Sequence, residues 1–218
     1  MVTTGTRTRT TKAPEDRRKD LLDAGLRVFC DKGIKDATIS DITRAADMAK
    51  GTFYLYFDSK DHLLAALKER FIESMMSEAF SLLAAVGQDD WWELTDRTIE
   101  AMVDFPLRHP EELKVFYFQI PSSPETQDIL SESDTRVWEM ATESIQAGID
   151  AGVFSASDPA LAAMFIHEAI DGAVRHRIMY GIDIDRDRLV AAAKEMARKI
   201  LAPERLPLQS ATVPRSTG

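Results

Sequence analysis

The chain has little cysteine and no long apolar run, and both absences restrict what it can be. Cys30 is the single cysteine among 218 residues, so no disulfide can form within the chain. This agrees with a reducing compartment, and we expect a cytoplasmic protein. No stretch approaches the ~20 apolar residues that a transmembrane helix needs, and no apolar block follows the N-terminus. We therefore expect no membrane association.

Motifs for catalysis and for metal binding are also missing. His167, Glu168 and Asp171 come close to the zinc-binding His-Glu-x-x-His pattern, but Asp171 stands where the second histidine is required. The acidic run at 183–187 begins like a calcium loop and then has arginine where the loop needs glycine. No glycine-rich phosphate loop, nucleophile elbow or paired-cysteine motif occurs. We expect no cofactor, no metal and no enzymatic activity.

Charge is distributed unevenly along the chain. The formal net charge is −9, yet residues 1–60 carry 12 Lys or Arg against 9 Asp or Glu, a net +3, which leaves −12 for residues 61–218. A weakly basic end on an acidic body is typical of a protein that touches phosphates with one end only. Residues 1–14 predict a flexible basic arm, either a disordered leader or an extra contact to DNA.

Residues 38–48 predict a short helix followed by a tight turn. Thr38 and Asp41 form a capping-box pattern at the helix start, with Asp in place of the usual Glu. Apolar residues at 39, 42, 45 and 46 mark one face of two helical turns. Asp47 follows at the turn, where a left-handed backbone is usual and aspartate tolerates it better than most residues.

A second short helix is predicted over residues 49–57. Phe53 and Phe57 are spaced to point inward, and Gly51 in the first turn lets the backbone come close to another molecule, with a phosphate as one candidate. The residues on its other faces, which can meet a ligand, are Lys50, Thr52, Tyr54 and Tyr56. This build is that of a helix-turn-helix DNA reader.

The segment resembles the DNA-binding part of the TetR family of bacterial transcriptional regulators. The matching residues are Thr38, Ile42, Ala45, Ala46, the run 50–57, Lys60, Leu63 and Leu64. Residues 20–33 resemble the first helix of that family, so the similarity covers roughly the first 65 residues. The chain departs from the family at Asp47, where glycine is usual, and at Ala49, where serine or threonine is usual.

The resemblance implies a set of DNA-binding residues. They are Thr38, Arg44, Lys50, Gly51, Thr52, Tyr54, Tyr56 and Lys60. Tyr54, Tyr56 and Lys60 are expected to contact phosphates. Lys50 is expected at a guanine edge and Thr52 at a thymine methyl group.

The rest of the chain is predicted to be helical throughout, which makes the fold all-α with roughly nine helices. A DNA-binding domain is expected over 15–60, a helical body over 61–203 and a disordered tail over 204–218. Within the body we expect helices at 59–86, 89–107, 110–120, 125–151, 159–180 and 185–201, each bounded by Gly, Pro or a capping residue. The first of them would join the DNA reader to the body as a stiff element.

Two functions are expected of the body. Its last two helices carry apolar stripes that either face their own core or form a two-fold interface, and the resemblance favours the interface. The interface candidates are Leu161, Phe165, Ala169, Ala173, Leu189, Ala193, Met196 and Ile200. Large and polar side chains on converging helices suggest a pocket for an apolar or aromatic effector. The pocket candidates are Phe105, Phe116, Trp138, Phe165, His167, Glu168, Asp171 and Arg175.

These patterns together predict a transcriptional regulator. We expect a homodimer that binds a palindromic operator in double-stranded DNA as a repressor and is released by a small-molecule effector. The alternative is a helical small-molecule-binding or scaffold module whose DNA-binding head is degenerate, and it rests on the departures at Asp47 and Ala49.

Overall fold

The computed structural model describes residues 13–87, 90–117 and 124–202, with side chains for all of these except 124–134. The described residues form nine helices and no strand, which confirms the predicted all-α class. The helices are α1 (Pro14–Asp36), α2 (Ile39–Ala45), α3 (Lys50–Phe53), α4 (Lys60–Leu83), α5 (Trp91–Arg108), α6 (Pro110–Tyr117), α7 (Pro124–Asp150), α8 (Pro159–Tyr180) and α9 (Arg186–Leu201). Most of the predicted arm, the predicted tail and the predicted end of the 110–120 helix lie outside the described residues.

The first four helices enclose a small apolar core, which we call the head core. Its largest fully buried members are Leu21, Phe29, Ile42, Phe53, Leu63 and Leu67. Near its C-terminus α1 bends at Gly33, whose φ of 75° is open to glycine and rare for other residues. The bend brings the end of α1 to the start of α2, where Thr38 and Asp41 form the predicted capping box.

The second helix of the turn motif is shorter than the predicted 49–57. Only Lys50–Phe53 is α-helical, and the chain continues through Tyr56 in tighter turns. The Leu55 N–H donates to the Thr52 carbonyl at 3.2 Å and the Tyr56 N–H to the Phe53 carbonyl at 3.0 Å, a three-residue spacing that often tightens helix ends. The chain still winds the same way, so both Phe53 and Phe57 are buried as predicted.

Helix α4 is shared by the head core and a second core in the body. Ser59 caps its start by accepting a hydrogen bond from the His62 N–H at 3.1 Å. Leu63 and Leu67 lie in the head core, whereas Phe71, one turn further on, packs against the body. Helix α6 also joins the two parts, because its Val115 is buried in the head core. Both helices therefore connect the head core with the body core.

Helices α5, α7, α8 and α9 surround the larger body core. Its members on α8 and α9 include Ile166, Ile170, Val174, Leu189, Ala193 and Ala197. A row of ion pairs fixes α9 to α5 on the outer side of this core. Arg186 donates to both carboxylate oxygens of Asp104, at 2.8 and 2.6 Å, and Lys194 donates to Glu100 at 2.6 Å. The Lys194 hydrogen bond lowers the pKa of the Glu100 carboxyl.

Candidate nucleic-acid interface and effector region

The turn between α2 and α3 is made by a residue that the sequence singled out. Asp47 has a φ of 53°, and it is the non-glycine residue with positive φ in the described part of the chain. Its N–H donates to the Arg44 carbonyl at 3.2 Å, and the next N–H, of Met48, donates to Thr43 at 2.8 Å. Aspartate thus provides the left-handed turn, and its presence does not disrupt the motif.

Helices α2 and α3 form a concave surface on the outside of the head. It is lined by Ser40, Thr43, Arg44, Asp47, Met48, Ala49 and Lys50. The structure therefore brings together two of the predicted DNA-binding residues, Arg44 and Lys50, both of which are exposed. Gly51 and Tyr54 are also exposed, whereas Thr52 and Tyr56 are partly buried. Phe53 and Phe57 occupy the opposite side of this segment, so Lys50, Gly51 and Tyr54 are presented outward.

Gly51 has no structural reason to be glycine within the chain. Its φ is not positive, and a Cβ atom built on it meets no other atom within 4 Å. Glycine in a helix costs about 0.5–1 kcal/mol relative to alanine. A residue that is unfavourable for the free protein, exposed and without steric need is typical of a backbone that another molecule approaches closely.

Thr38 is engaged at the start of α2. Its hydroxyl accepts from the Asp41 N–H at 3.1 Å and donates to the Asp41 carboxylate at 2.7 Å. Lys32 lies 2.9 Å from the other carboxylate oxygen. The hydrogen bond from Lys32, followed by that from Thr38, lowers the pKa of Asp41 to about 2. The only acid on this helix is therefore paired with a cation.

Lys60 is placed differently from what its family motif implies. Its ammonium donates to the carbonyls of Ile34, Lys35 and Ala37, at 2.6, 3.1 and 3.1 Å. These carbonyls lie at the C-terminal end of α1, where helical carbonyls lack helical partners and attract a cation. An ammonium has three donors, and all three are used. Lys60 thus ties the first residue of α4 to the end of α1.

Leu55 is absent from the residues that the sequence assigned to DNA contact, because only the polar residues of this segment were assigned to its outer face. Its side chain is 76% exposed, the highest fraction among the large apolar residues that the structure describes. Its position two residues from each inward-pointing phenylalanine was the available signal, because at ~100° per residue this spacing places it opposite the core.

The predicted effector residues fall into separate places. Phe105 is buried and Phe116 partly buried, and both rings contact Phe71, with centroids 5.1 and 5.4 Å apart. His109 stacks on Phe105 at 4.4 Å. This aromatic cluster of Phe71, Phe105, His109 and Phe116 lies where α4, α5 and α6 meet, between the two cores.

A polar cluster joins α6 to α8. Tyr117 donates a hydrogen bond to Asp171, the Arg175 guanidinium lies 4.9 Å from the centre of the Tyr117 ring, and Arg175 is 3.8 Å from Asp171. His167, one turn before Asp171, has its Nδ1 buried without a hydrogen bond from the described residues and 3.8 Å from Glu168. The remaining candidates Trp138, Phe165 and Glu168 are exposed at the surface.

The predicted interface residues divide between two environments. On α8, Leu161 is 46% exposed, Phe165 is 56% exposed and Ala169 is exposed, whereas Ala173 packs partly against the body core. On α9, the four predicted residues face inward: Leu189 and Ala193 are buried in the body core, and Met196 and Ile200 pack against it. This corrects the α9 half of the expectation, because that stripe packs on the chain's own core.

Among the nine helices that the structure describes, none combines the length and the apolar character that a membrane span requires. Among the same residues there is no group of three or more His, Cys, Asp or Glu side chains that could hold a metal ion.

A helix-turn-helix head whose core is shared with a long helix of a larger helical body defines a DNA-binding transcriptional regulator. Residues 21–67 match the family described as bacterial regulatory proteins, tetR family, and residues 92–202 match that described as BetI-type transcriptional repressor, C-terminal. The chain belongs to the TetR family, as the resemblance of its first 65 residues predicted.

Individual proteins are similar to the chain over different lengths. YvdT of Bacillus subtilis, an uncharacterized HTH-type transcriptional regulator, is 32% identical over 106 residues, which are 49% of this chain and 54% of YvdT. The transcriptional repressor KstR2 of Rhodococcus jostii is 26% identical over 76% of this chain and 81% of its own length. The structure of the transcriptional regulator FadR from Bacillus subtilis in complex with stearoyl-CoA superposes with a TM-score of 0.70, at 21% identity, over 84% of this chain and 97% of FadR.

Proposed function

We propose that the chain is a homodimeric repressor that binds a palindromic operator and releases it when a small molecule binds the body. The observation that carries the DNA-binding role is the outward face of the α2–α3 unit. There Arg44, Lys50, Gly51 and Tyr54 are exposed on a segment that is held from behind by buried phenylalanines. A basic, rigidly backed face with an open backbone position suits a major groove.

The contacts that we assign follow the positions of the side chains. Lys50 reads a guanine edge, and Arg44, beside it in the concave surface, contacts base or backbone. Tyr54 and Tyr56 donate hydrogen bonds to phosphates. Thr38 holds α2 in place through its cap. For Lys60 we propose a positioning role rather than a phosphate contact, because its three donors are directed at carbonyls of α1.

Selection from a random duplex library at moderate salt tests the DNA-binding proposal. We expect a palindrome with two half-sites, since a two-fold dimer presents two identical heads. Lys50→Ala should relax the base preference at one position of each half-site, whereas Tyr54→Phe should weaken binding to all sequences alike. If a folded, dimeric protein enriches no motif, the degenerate-head alternative replaces this proposal.

The partner surface that we propose is the outer side of α8. Leu161, Phe165 and Ala169 repeat every four residues there and leave an apolar stripe exposed, while the other side of the same helix is in the body core. Phe165→Glu should convert a dimer into a monomer in sedimentation experiments and reduce operator affinity. A dimer that survives this change would place the interface elsewhere. Glu73→Gln, at an exposed position on α4, is the control and should leave the dimer intact.

The effector that we propose has a substantial apolar part and binds next to the aromatic cluster and the polar cluster of the body. Two observations support this position: both clusters touch α6, and α6 carries Val115 in the head core. FadR of Bacillus subtilis holds stearoyl-CoA in its structure, so long-chain acyl-CoA is the first ligand to test.

Binding of acyl-CoA should raise the melting temperature and release the operator. Loss of this response in Phe105→Ala would locate the site. Acyl-CoA that leaves both quantities unchanged is not the effector.

Release of DNA would then be a population shift between two positions of the head. A ligand changes this balance only as far as it binds one state better than the other. We propose that α4 moves with α6, since both lie in the head core, and that this motion changes the spacing of the two heads. Spin labels on the two heads of a dimer should report a longer or shorter distance with effector than without it, and an unchanged distance would exclude this mechanism.

A further inference from the structure

Leu55 presents an apolar surface that the folded chain does not use. The side chain is 76% exposed, although Phe53 and Phe57, two residues away on either side, are 0% and 5% exposed. Leu55 therefore lies on the side of this segment that faces away from the head core. Leaving a leucine in water gains none of the free energy that burial provides, so contact with another molecule at this position would add stability that the free protein does not have.

The surroundings of Leu55 belong to the proposed DNA-binding face. Gly51 precedes it by four residues, about one helical turn, and offers no side chain that would keep a partner away. Tyr54, its immediate neighbour, is 51% exposed, and Lys50 is exposed on the same short element. An apolar side chain beside a basic residue and a phenol is placed to contact the same molecule that those polar groups bind.

We propose that Leu55 is a specificity-determining residue that reads thymine by packing on its 5-methyl group. Leucine has no hydrogen-bonding group, and the thymine methyl is the apolar feature that distinguishes base pairs in the major groove. The proposal rests on the proposed operator binding and adds to it a base identity and the atom that is read. Thr52, which the sequence suggested for a thymine methyl, is only partly exposed.

Deoxyuridine substitution removes the methyl group and nothing else. Each thymine of one half-site of the selected operator is replaced in turn, and the dissociation constant is measured for wild type, Leu55→Ala, Leu55→Met and Thr52→Ser. At one thymine we expect the operator affinity of wild type and of Leu55→Met to fall about fourfold when deoxyuridine is introduced, which is the value for one buried methyl group. Leu55→Ala should bind the thymine and the deoxyuridine operators with equal affinity at that position. Phe80→Ala, which shortens a 53% exposed phenylalanine on α4, is the control and should behave as wild type.

The result that overturns the inference is a Leu55→Ala protein that loses as much as wild type at every thymine. The inference is also overturned if the loss of affinity on deoxyuridine substitution disappears in Thr52→Ser and persists in Leu55→Ala. That result would assign the contact with the thymine methyl group to Thr52. Equal melting temperatures of the variants show that folding is unaffected. Failure of the operator selection itself would remove the proposed function together with this inference, whereas a selected operator without methyl coupling removes the inference alone.

Discussion

Replacing Gly51 by alanine is expected to stabilise the free protein and to weaken operator binding. The added methyl group meets no atom within 4 Å, and the backbone at Gly51 has no positive φ that alanine would strain. Alanine in a helix is favoured over glycine by about 0.5–1 kcal/mol. For a protein of this size, that free energy of unfolding corresponds to a rise of about 1–4 °C in the melting temperature.

The effect on DNA binding has the opposite sign because the free space at Gly51 is on the face that meets DNA. A methyl group forced into a close contact costs about 1–3 kcal/mol, the range observed for overpacking. This corresponds to a loss of operator affinity of about 5- to 150-fold. The two changes arise from the same atom, so they cannot be explained by a general loss of structure.

Thermal unfolding and operator titration of the same preparation measure both quantities. Ser74→Ala is the matched control: Ser74 is exposed in the middle of α4, and alanine there should stabilise slightly without changing DNA affinity. Gly25→Ala is the contrasting variant, because its Cβ would lie 2.4 Å from the Cδ2 atom of the fully buried Leu63, and it should lower the melting temperature. A Gly51→Ala protein that is more stable and binds its operator with unchanged affinity would refute the reasoning.

Three further predictions concern the same head. Ala49 caps α3 without a side-chain hydrogen bond, so Ala49→Ser should raise the free energy of unfolding by about 0.5–1 kcal/mol in denaturant titrations; Ala49→Val, which restores no cap, should not. Lys60→Met should lower both the melting temperature and the DNA affinity, while the slope of log affinity against log salt concentration stays constant. A slope reduced by about 0.9 per half-site would instead indicate that a phosphate contact has been lost. Because the pKa of Asp41 is lowered, the carboxylate stabilises the fold fully above its ordinary pKa of 3.8, and this contribution is lost as the pH falls towards about 2. The difference in melting temperature between wild type and Asp41→Asn should accordingly shrink between pH 5 and pH 2. A difference that stays constant would contradict this assignment.

The head could be predicted in detail because its determinants are local in the sequence. The capping box of Thr38 and Asp41 lies within four residues, and the left-handed turn at Asp47 depends on one residue. The burial of Phe53 and Phe57 follows from their spacing. Lys60 could not be placed in this way, since its three carbonyl partners are 23 to 26 residues away and are brought to it by the bend of α1.

The body shows what an apolar stripe alone cannot decide. The stripe on α9 has the same period whether it faces its own core or a second chain. It packs on this chain's own core, and Arg186 and Lys194 pair there with acids on α5 that are 82 and 94 residues away. Helix α8 differs, because it is apolar on two sides: Ile166 and Ile170 are in the core, while Leu161 and Phe165 are in water. An apolar side of a helix that is left in water is the kind of surface that a partner covers. One side of α8 packs on this chain's own core. We propose that the opposite side packs against a second copy of the chain.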